Sequence, residues 1–188
     1  MQYKYRTEVL VLARHPLKEH DANVILATPD FGVIRARVAG LRKPGSKMAS
    51  GLQTLMESNI GLIRAKDGWR LAGALSLRDW SRELSFESRK RFGRVADLMQ
   101  RLSHGEESEP RLYAEALSFA DALSRLPEDK QDAAECLAAL RILHMLGHDA
   151  GEIPGDFCAY GREELDAVSV QRKAYIARIN AGIIASGL

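Results

Sequence analysis

Arg35, Arg37, Arg42, Lys43 and Lys47 fall within the thirteen residues RARVAGLRKPGSK, with no carboxylate among them. The first two alternate with apolar residues, so on a strand they share one face. The last three surround Pro44-Gly45-Ser46, which is turn chemistry. Such a run either decorates an ordinary solvated hairpin or holds a polyanion, and a nucleic-acid backbone supplies the matching repeat of negative charge. Arg64, Lys66 and Arg70 form a second cluster around the turn Lys66-Asp67-Gly68. Arg89, Lys90 and Arg91, with Arg94, form a third at the expected opening of a helix, where cations oppose the helix dipole and an external anion would be favoured. Phe31 and Trp69 stand at turns and are candidates for base stacking, a place in the core being the alternative for each. Trp80 is read as a core residue.

Other chemistry lacks its motifs. His144 and His148 have the i, i+4 spacing of a metal pair, but Met145 stands where a zincin needs Glu, so core or capping roles are expected and no metal. There is no GxxxxGK[ST], no GxGxxG and no GxSxG, and Ser46 has no recognisable general base. The chain reads as non-enzymatic.

Composition is that of a globular protein, 46% hydrophobic and 28% charged, without the uninterrupted apolar run of roughly 18 residues that a membrane helix needs. The first residues do not form a signal peptide. Cys136 and Cys158 include no CxxC and read as free thiols of a reducing compartment, hence a cytoplasmic protein, nucleoid-associated if it binds DNA. The net charge of +2 conceals a division: residues 1–94 carry 18 Lys/Arg and 9 Asp/Glu, residues 95–188 carry 9 and 16. Either the first half meets phosphates or the halves attract each other.

These residues need positioning elements. TEVLVLARH, NVILAT, GVIRARVAGL, LMESNIGLIRA and WRLAGALSL read as five short strands with turn punctuation, and MASGLQ as a short helix or turn. In GVIRARVAGL, Val33, Arg35, Arg37 and Ala39 take one face and Ile34, Ala36 and Val38 the other. Five strands match an OB-fold, whose groove uses strands two and three and the loop between four and five; an SH3-like barrel reads similarly. From about Ser81 the period becomes helical. Phe92, Val95, Met99 and Leu102 form one stripe, ended by His104-Gly105. Tyr113, Leu117, Ala120 and Leu123 line a helix opened by Pro110, and DAAECLAALRILHMLGHD forms a central helix capped by Gly147. One last helix is expected over roughly 168–185. The expected architecture is α+β: an OB-fold β-barrel over 1–80 and an α-helical domain over 81–188.

The stretch from Thr7 to Gln53 resembles the N-terminal domain of the RecO family of bacterial recombination mediators. The resemblance rests on Glu19, Thr28-Pro29 with Gly32, Ala39-Gly40, the loop from Arg42-Lys43-Pro44 to Ser46-Lys47, and Leu52-Gln53; LRILHMLGH resembles the family's Leu-Gly helix. It implies an OB-fold joined to a helical domain that binds single- and double-stranded DNA and anneals complementary strands. RecR and the tail of the single-stranded-DNA-binding protein are its implied partners, and RecA loading its indirect result. The five cations of 35–47 would contact the DNA backbone. Many members carry a four-cysteine zinc insertion; only Cys158 stands there, so no zinc and no other cofactor is expected. An OB-fold that binds RNA, for example on ribosomes, is the alternative reading.

Overall fold

The computed structural model describes residues 4–103 and 109–187. The chain divides into two compact units, one running to Glu83 and including a short segment that ends at Tyr113, the other beginning at Leu84 and holding most of the helical residues.

The first unit is built on five strands: β1 (Lys4–Pro16), β2 (Ala22–Thr28), β3 (Gly32–Val38), β4 (Met56–Ala65) and β5 (Gly68–Asp79). They close into a barrel in the order β1-β2-β3-β5-β4. β1 is antiparallel to both β2 and β4, and β3 is parallel to β5, which is the OB-fold. Alternation explains the wall: Ile34, Ala36 and Val38 point inward and are buried while Arg35 is exposed. Val9, Leu10, Val11 and Leu12 are all buried, so this part of β1 is covered on both faces, as its unbroken apolar run requires. Gly61 pairs with Gly73, and the register shifts immediately afterwards, so a bulge bends β4 and β5 around the barrel. The expected MASGLQ element is a single 3-10 turn, Ser50–Leu52.

Strand direction decides where the connections lie. β1 and β3 run the same way, so the β1–β2 turn and the long β3–β4 connection leave from one end of the barrel. The β2–β3 and β4–β5 turns leave from the other. The Arg42 N–H donates to the His20 carbonyl at 2.9 Å, tying the two connections of the first end together.

A short turn of helix, α1 (Trp80–Glu83), follows β5. In the helical unit, α2 (Phe86–Leu102) buries Phe92, Val95, Met99 and Leu102. The stop expected at His104-Gly105 lies outside the described residues; within them, the Ser103 N–H closes the last turn on the Met99 carbonyl at 3.0 Å. In α3 (Pro110–Arg125) the buried stripe is Ala116, Phe119, Ala120 and Leu123, while Leu117 is only half-buried. α4 (Glu128–Met145) is buried on nearly every side and packs against α2, α5 (Arg162–Val170) and α6 (Arg172–Ala185). Gly147, at φ +76°, ends it, with the His148 N–H on the Leu143 carbonyl at 2.8 Å. The single last helix expected over 168–185 is two helices, broken at Gln171, whose φ of −107° and ψ of 21° leave the helical region. Of the isoleucines expected to pack, Ile184 is 74% exposed.

Candidate nucleic-acid interface

Arg35 projects from the outer face of β3 with no carboxylate partner among the described residues. Arg37, two residues on, is engaged: its Nη2 donates to Asp21 Oδ2 at 2.7 Å. The other Asp21 oxygen accepts the Gly40 N–H at 3.0 Å. The Gly40 amide first, then the Arg37 guanidinium, hold the Asp21 carboxyl below the usual carboxylate range. One aspartate in the β1–β2 turn thereby fixes the end of β3 and the start of the basic loop. Gly40 is at φ +65°, a conformation costly for a residue with a Cβ, which lets the chain turn there and aim its N–H at Asp21.

Beyond Gly40, successive i→i+3 bonds shape the loop. Lys43 N–H donates to Gly40 O, Ser46 N–H to Lys43 O and Ala49 N–H to Ser46 O, at 3.1, 3.1 and 3.2 Å. These turns satisfy the backbone locally and leave Arg42, Lys43 and Lys47 exposed, none opposite a carboxylate among the described residues.

At the β4–β5 turn, Arg70 Nη2 lies 2.9 Å from both oxygens of Asp67, and Lys66 is exposed at the tip. The Arg64 guanidinium sits 4.8 Å from the centroid of the Trp69 ring. The parallel register sets Arg37 opposite Arg70 across β3 and β5. Asp67 is held below the usual carboxylate range by Arg70 first, with a smaller contribution from Arg37. Thus the two clusters, separated by some thirty residues of sequence, meet on one side of the barrel.

Trp69 is not a stacking platform. It faces inward at 6% exposure as part of the barrel core, because its position opposite Ala36 puts it on the inner side of the sheet. Its ring lies 4.9 Å from Phe31 and 5.5 Å from Tyr5, forming an aromatic plug. Phe31 is half-buried against that plug, and Tyr5, 37% exposed, is its most open ring.

The third cluster is also placed differently from expectation. α2 begins at Phe86, capped by the Ser85 hydroxyl on the Ser88 N–H, so Arg89, Lys90 and Arg91 fall in its second turn and Glu87 occupies the first. Arg91 is paired with Asp132 and, at 3.1 Å, with Glu135; Arg94 Nε lies 2.5 Å from Glu135. Lys90 pairs with Glu87 at 2.9 Å and covers the Phe86 ring. Arg89 alone of the three is exposed without a carboxylate partner among the described residues.

Arg14 and Lys18, at the end of β1 and in the following turn, were not singled out by motif. The readable signal was their position in ARHPLK, cations at the mouth of the turn that faces the basic loop. Among the described residues there is no group of three or more His, Cys, Asp or Glu side chains able to hold a metal ion. Both cysteines are free, and burial pushes the Cys136 thiol up to about 11. No helix among the described residues is long and apolar enough to cross a membrane.

Residues 1–70 match the family model described as Recombination protein O N terminal. The chain is 27% identical over 145 residues to the DNA repair protein RecO of Desulforudis audaxviator, covering 77% of this chain and 57% of that protein. It is 30% identical over 145 residues to the DNA repair protein RecO of Heliobacterium modesticaldum, covering 77% and 52%. Over 62 residues it is 42% identical to the DNA repair protein RecO of a Synechococcus species, covering 32% and 23%. The chain thus spans about half the length of the two relatives it matches over 145 residues. With an OB barrel matched along most of its strands and related sequence continuing into the helices, the barrel matches the N-terminal domain of RecO and the chain is similar to the DNA repair proteins RecO.

Proposed function

We propose that this chain is a non-enzymatic, cytoplasmic mediator of recombinational DNA repair that binds and anneals single-stranded DNA. It acts with RecR on DNA coated by the single-stranded-DNA-binding protein, so that RecA can load, and uses no zinc or other cofactor. The single observation that carries this reading is that Arg35, Arg42, Lys43, Lys47 and Lys66 are exposed on an OB barrel with no carboxylate partner among the described residues, their two clusters adjoining where β3 pairs with β5. With Trp69 inside the barrel, this surface is rich in cations and thin in exposed rings, so binding is backbone-dominated and tolerant of sequence.

A peptide tail carrying carboxylates and apolar side chains would fit the helical unit less readily. A cleft of about 340 Å³ there has Ile176 and Ile179 beside Arg91, Arg94 and Arg172. Those arginines already face Asp132 or Glu135, so an acidic tail must compete for them.

The test is anisotropy of a labelled single-stranded oligonucleotide across a salt series, followed by the rate of annealing of complementary strands. Arg42→Ala with Lys43→Ala weakens binding to every sequence and flattens the salt dependence by about 0.7 per lost phosphate contact. Binding that is absent, or indifferent to salt, overturns the proposal. Tighter binding of RNA than of DNA, without annealing, supports the RNA reading instead.

A further inference from the structure

Most arginines in this chain are matched with a carboxylate, as Arg37 is with Asp21, Arg70 with Asp67, Arg78 with Glu83 and Arg82 with Asp79 in the barrel unit alone. Arg14 and Arg42 differ. Both line one open cleft of about 300 Å³ at the barrel end where the β1–β2 turn and the β3–β4 connection emerge, together with His15 and Thr54 and with no carboxylate in its wall among the described residues. Each guanidinium is oriented by a neutral oxygen. Arg14 Nη1 donates to Gln53 Oε1 at 2.5 Å, and Gln53 is itself fixed by its amide N–H on the Ala49 carbonyl at 2.9 Å. Arg42 Nη1 donates to the Lys18 carbonyl at 3.3 Å, while its backbone N–H is held by His20. A neutral acceptor positions a guanidinium without cancelling its charge, and a guanidinium has five donors, so most remain for an incoming anion. Paired guanidiniums in a concave, carboxylate-free wall have the chemistry of a phosphate site.

We infer that the Arg14–Arg42 cleft is a phosphodiester subsite, in which both guanidiniums hold one backbone phosphate of a single-stranded nucleic acid. It rests on the nucleic-acid reading above and extends that surface past β3, onto the end of β1. Gln53 is a positioning residue: it aims Arg14 and touches no phosphate.

The experiment measures affinity for a labelled oligothymidylate between about 50 and 200 mM salt for the full chain and for Arg14→Ala, Arg42→Ala and the double substitution. Arg14→Ala is expected to lose roughly five- to tenfold at the low-salt end and to lower the salt slope by less than the ~0.7 of one whole phosphate contact, which only the double variant loses in full, with partial recovery in Arg14→Lys. Because both arginines hold one phosphate, the double variant loses less than the product of the single losses. An Arg14→Ala protein that binds as tightly as the parent with an unchanged slope overturns the subsite, as do single losses that multiply in full. The Nε–Hε resonance of Arg14 in the unsubstituted chain gives a reading independent of folding: it shifts on titration with oligonucleotide, and a resonance that stays in place overturns the subsite. Displacement of the oligonucleotide by micromolar inorganic phosphate marks a free-anion site and overturns it too. If the unsubstituted chain binds with strong salt dependence but Arg14 is silent, only the cleft falls. If the unsubstituted chain does not bind, the nucleic-acid reading and the cleft fall together.

Discussion

Substituting Arg141 by Met takes a cation from a side chain with 0% exposure and strands the carboxylate of Glu115, itself 1% exposed. Arg141 donates to Glu115 Oε1 at 3.3 Å and to the carbonyls of Pro154 and Asp156 at 3.4 and 2.5 Å. Glu115 also accepts the Cys158 N–H at 2.8 Å and the Tyr160 hydroxyl at 2.5 Å. Burial first, then the Glu115 charge, push the Tyr160 phenol well above its ordinary value, so it stays a donor throughout the useful pH range. Removing one member of a buried ion pair costs about 3–5 kcal/mol. Glu115 keeps two donors after Arg141→Met, which favours the lower end, about 3 kcal/mol. For a unit of about 100 residues each kcal/mol moves the melting temperature by about 4–8 °C, giving a fall of roughly 12–24 °C.

Thermal unfolding followed by circular dichroism reads this directly, and hydrogen exchange at the Cys158 amide reads the loop that the pair secures. Glu115→Gln keeps the shape, removes the charge and should speed exchange at Cys158, whose acceptor it weakens. Glu115→Gln with Arg141→Met should cost less than the two single changes together, by more than about 1 kcal/mol, because neither charge is then left alone. An Arg141→Met protein melting within about 3 °C of the parent, or strict additivity in the cycle, refutes the reasoning that this pair secures residues 154–160.

Two further outcomes follow from the same geometry. Arg91→Ala should destabilise the helical unit by about 1–2 kcal/mol through the loss of its contacts to Asp132 and Glu135, yet leave the salt slope of oligonucleotide binding unchanged; a flattened slope would return Arg91 to the interface. Asp21 and Asp67 have folded-state pKa values lowered by Gly40 and Arg37 and by Arg70, so their contribution is complete above the unfolded carboxylate value of about 3.9 and is lost as pH falls through the folded values. Denaturant melts from pH 5 to pH 2 should therefore show the barrel losing stability below about pH 4, with a shallower loss in Arg37→Gln; an identical pH profile for the two proteins counts against the Asp21 staple.

What could be read from the sequence was local in origin. Alternation along GVIRARV sorts Ile34, Ala36 and Val38 inward and Arg35 outward, because the side-chain period of a strand admits no other choice once one face is buried. The stripe of α2 and the near-total burial of α4 follow from the same kind of counting at the helical period. Pairings between distant residues were hidden. Nothing in the text around Arg37 announces Asp21, sixteen residues earlier, because that contact exists only after β2 and β3 have paired. Arg91 and Arg94 resembled an open cation cluster until α4 brought Asp132 and Glu135 against them from over forty residues away. Trp69 resembled a turn aromatic, and the parallel β3–β5 register turned it inward. The break at Gln171 carries neither Pro nor Gly, so no residue type marked it.

The charge division between the two halves gains a physical meaning from these pairings. In the helical unit Arg91, Arg94, Arg125, Arg141, Arg172 and Arg178 each lie against a carboxylate, while Arg89 and Lys173 do not among the described residues. In the barrel Lys4, Arg6, Arg14, Lys18, Arg35, Arg42, Lys43, Lys47 and Lys66 have no carboxylate partner among the described residues. Composition alone fits both a polyanion-binding half and a half that merely offsets its neighbour. Pairing distinguishes them, because a cation neutralised within hydrogen-bond distance releases few counterions when a phosphate arrives, whereas an unpaired one does. Each unpaired barrel cation therefore adds to the salt slope and each paired one adds little. The steepness of that slope, set against the loss from each single substitution, measures how many of these cations face the strand at once.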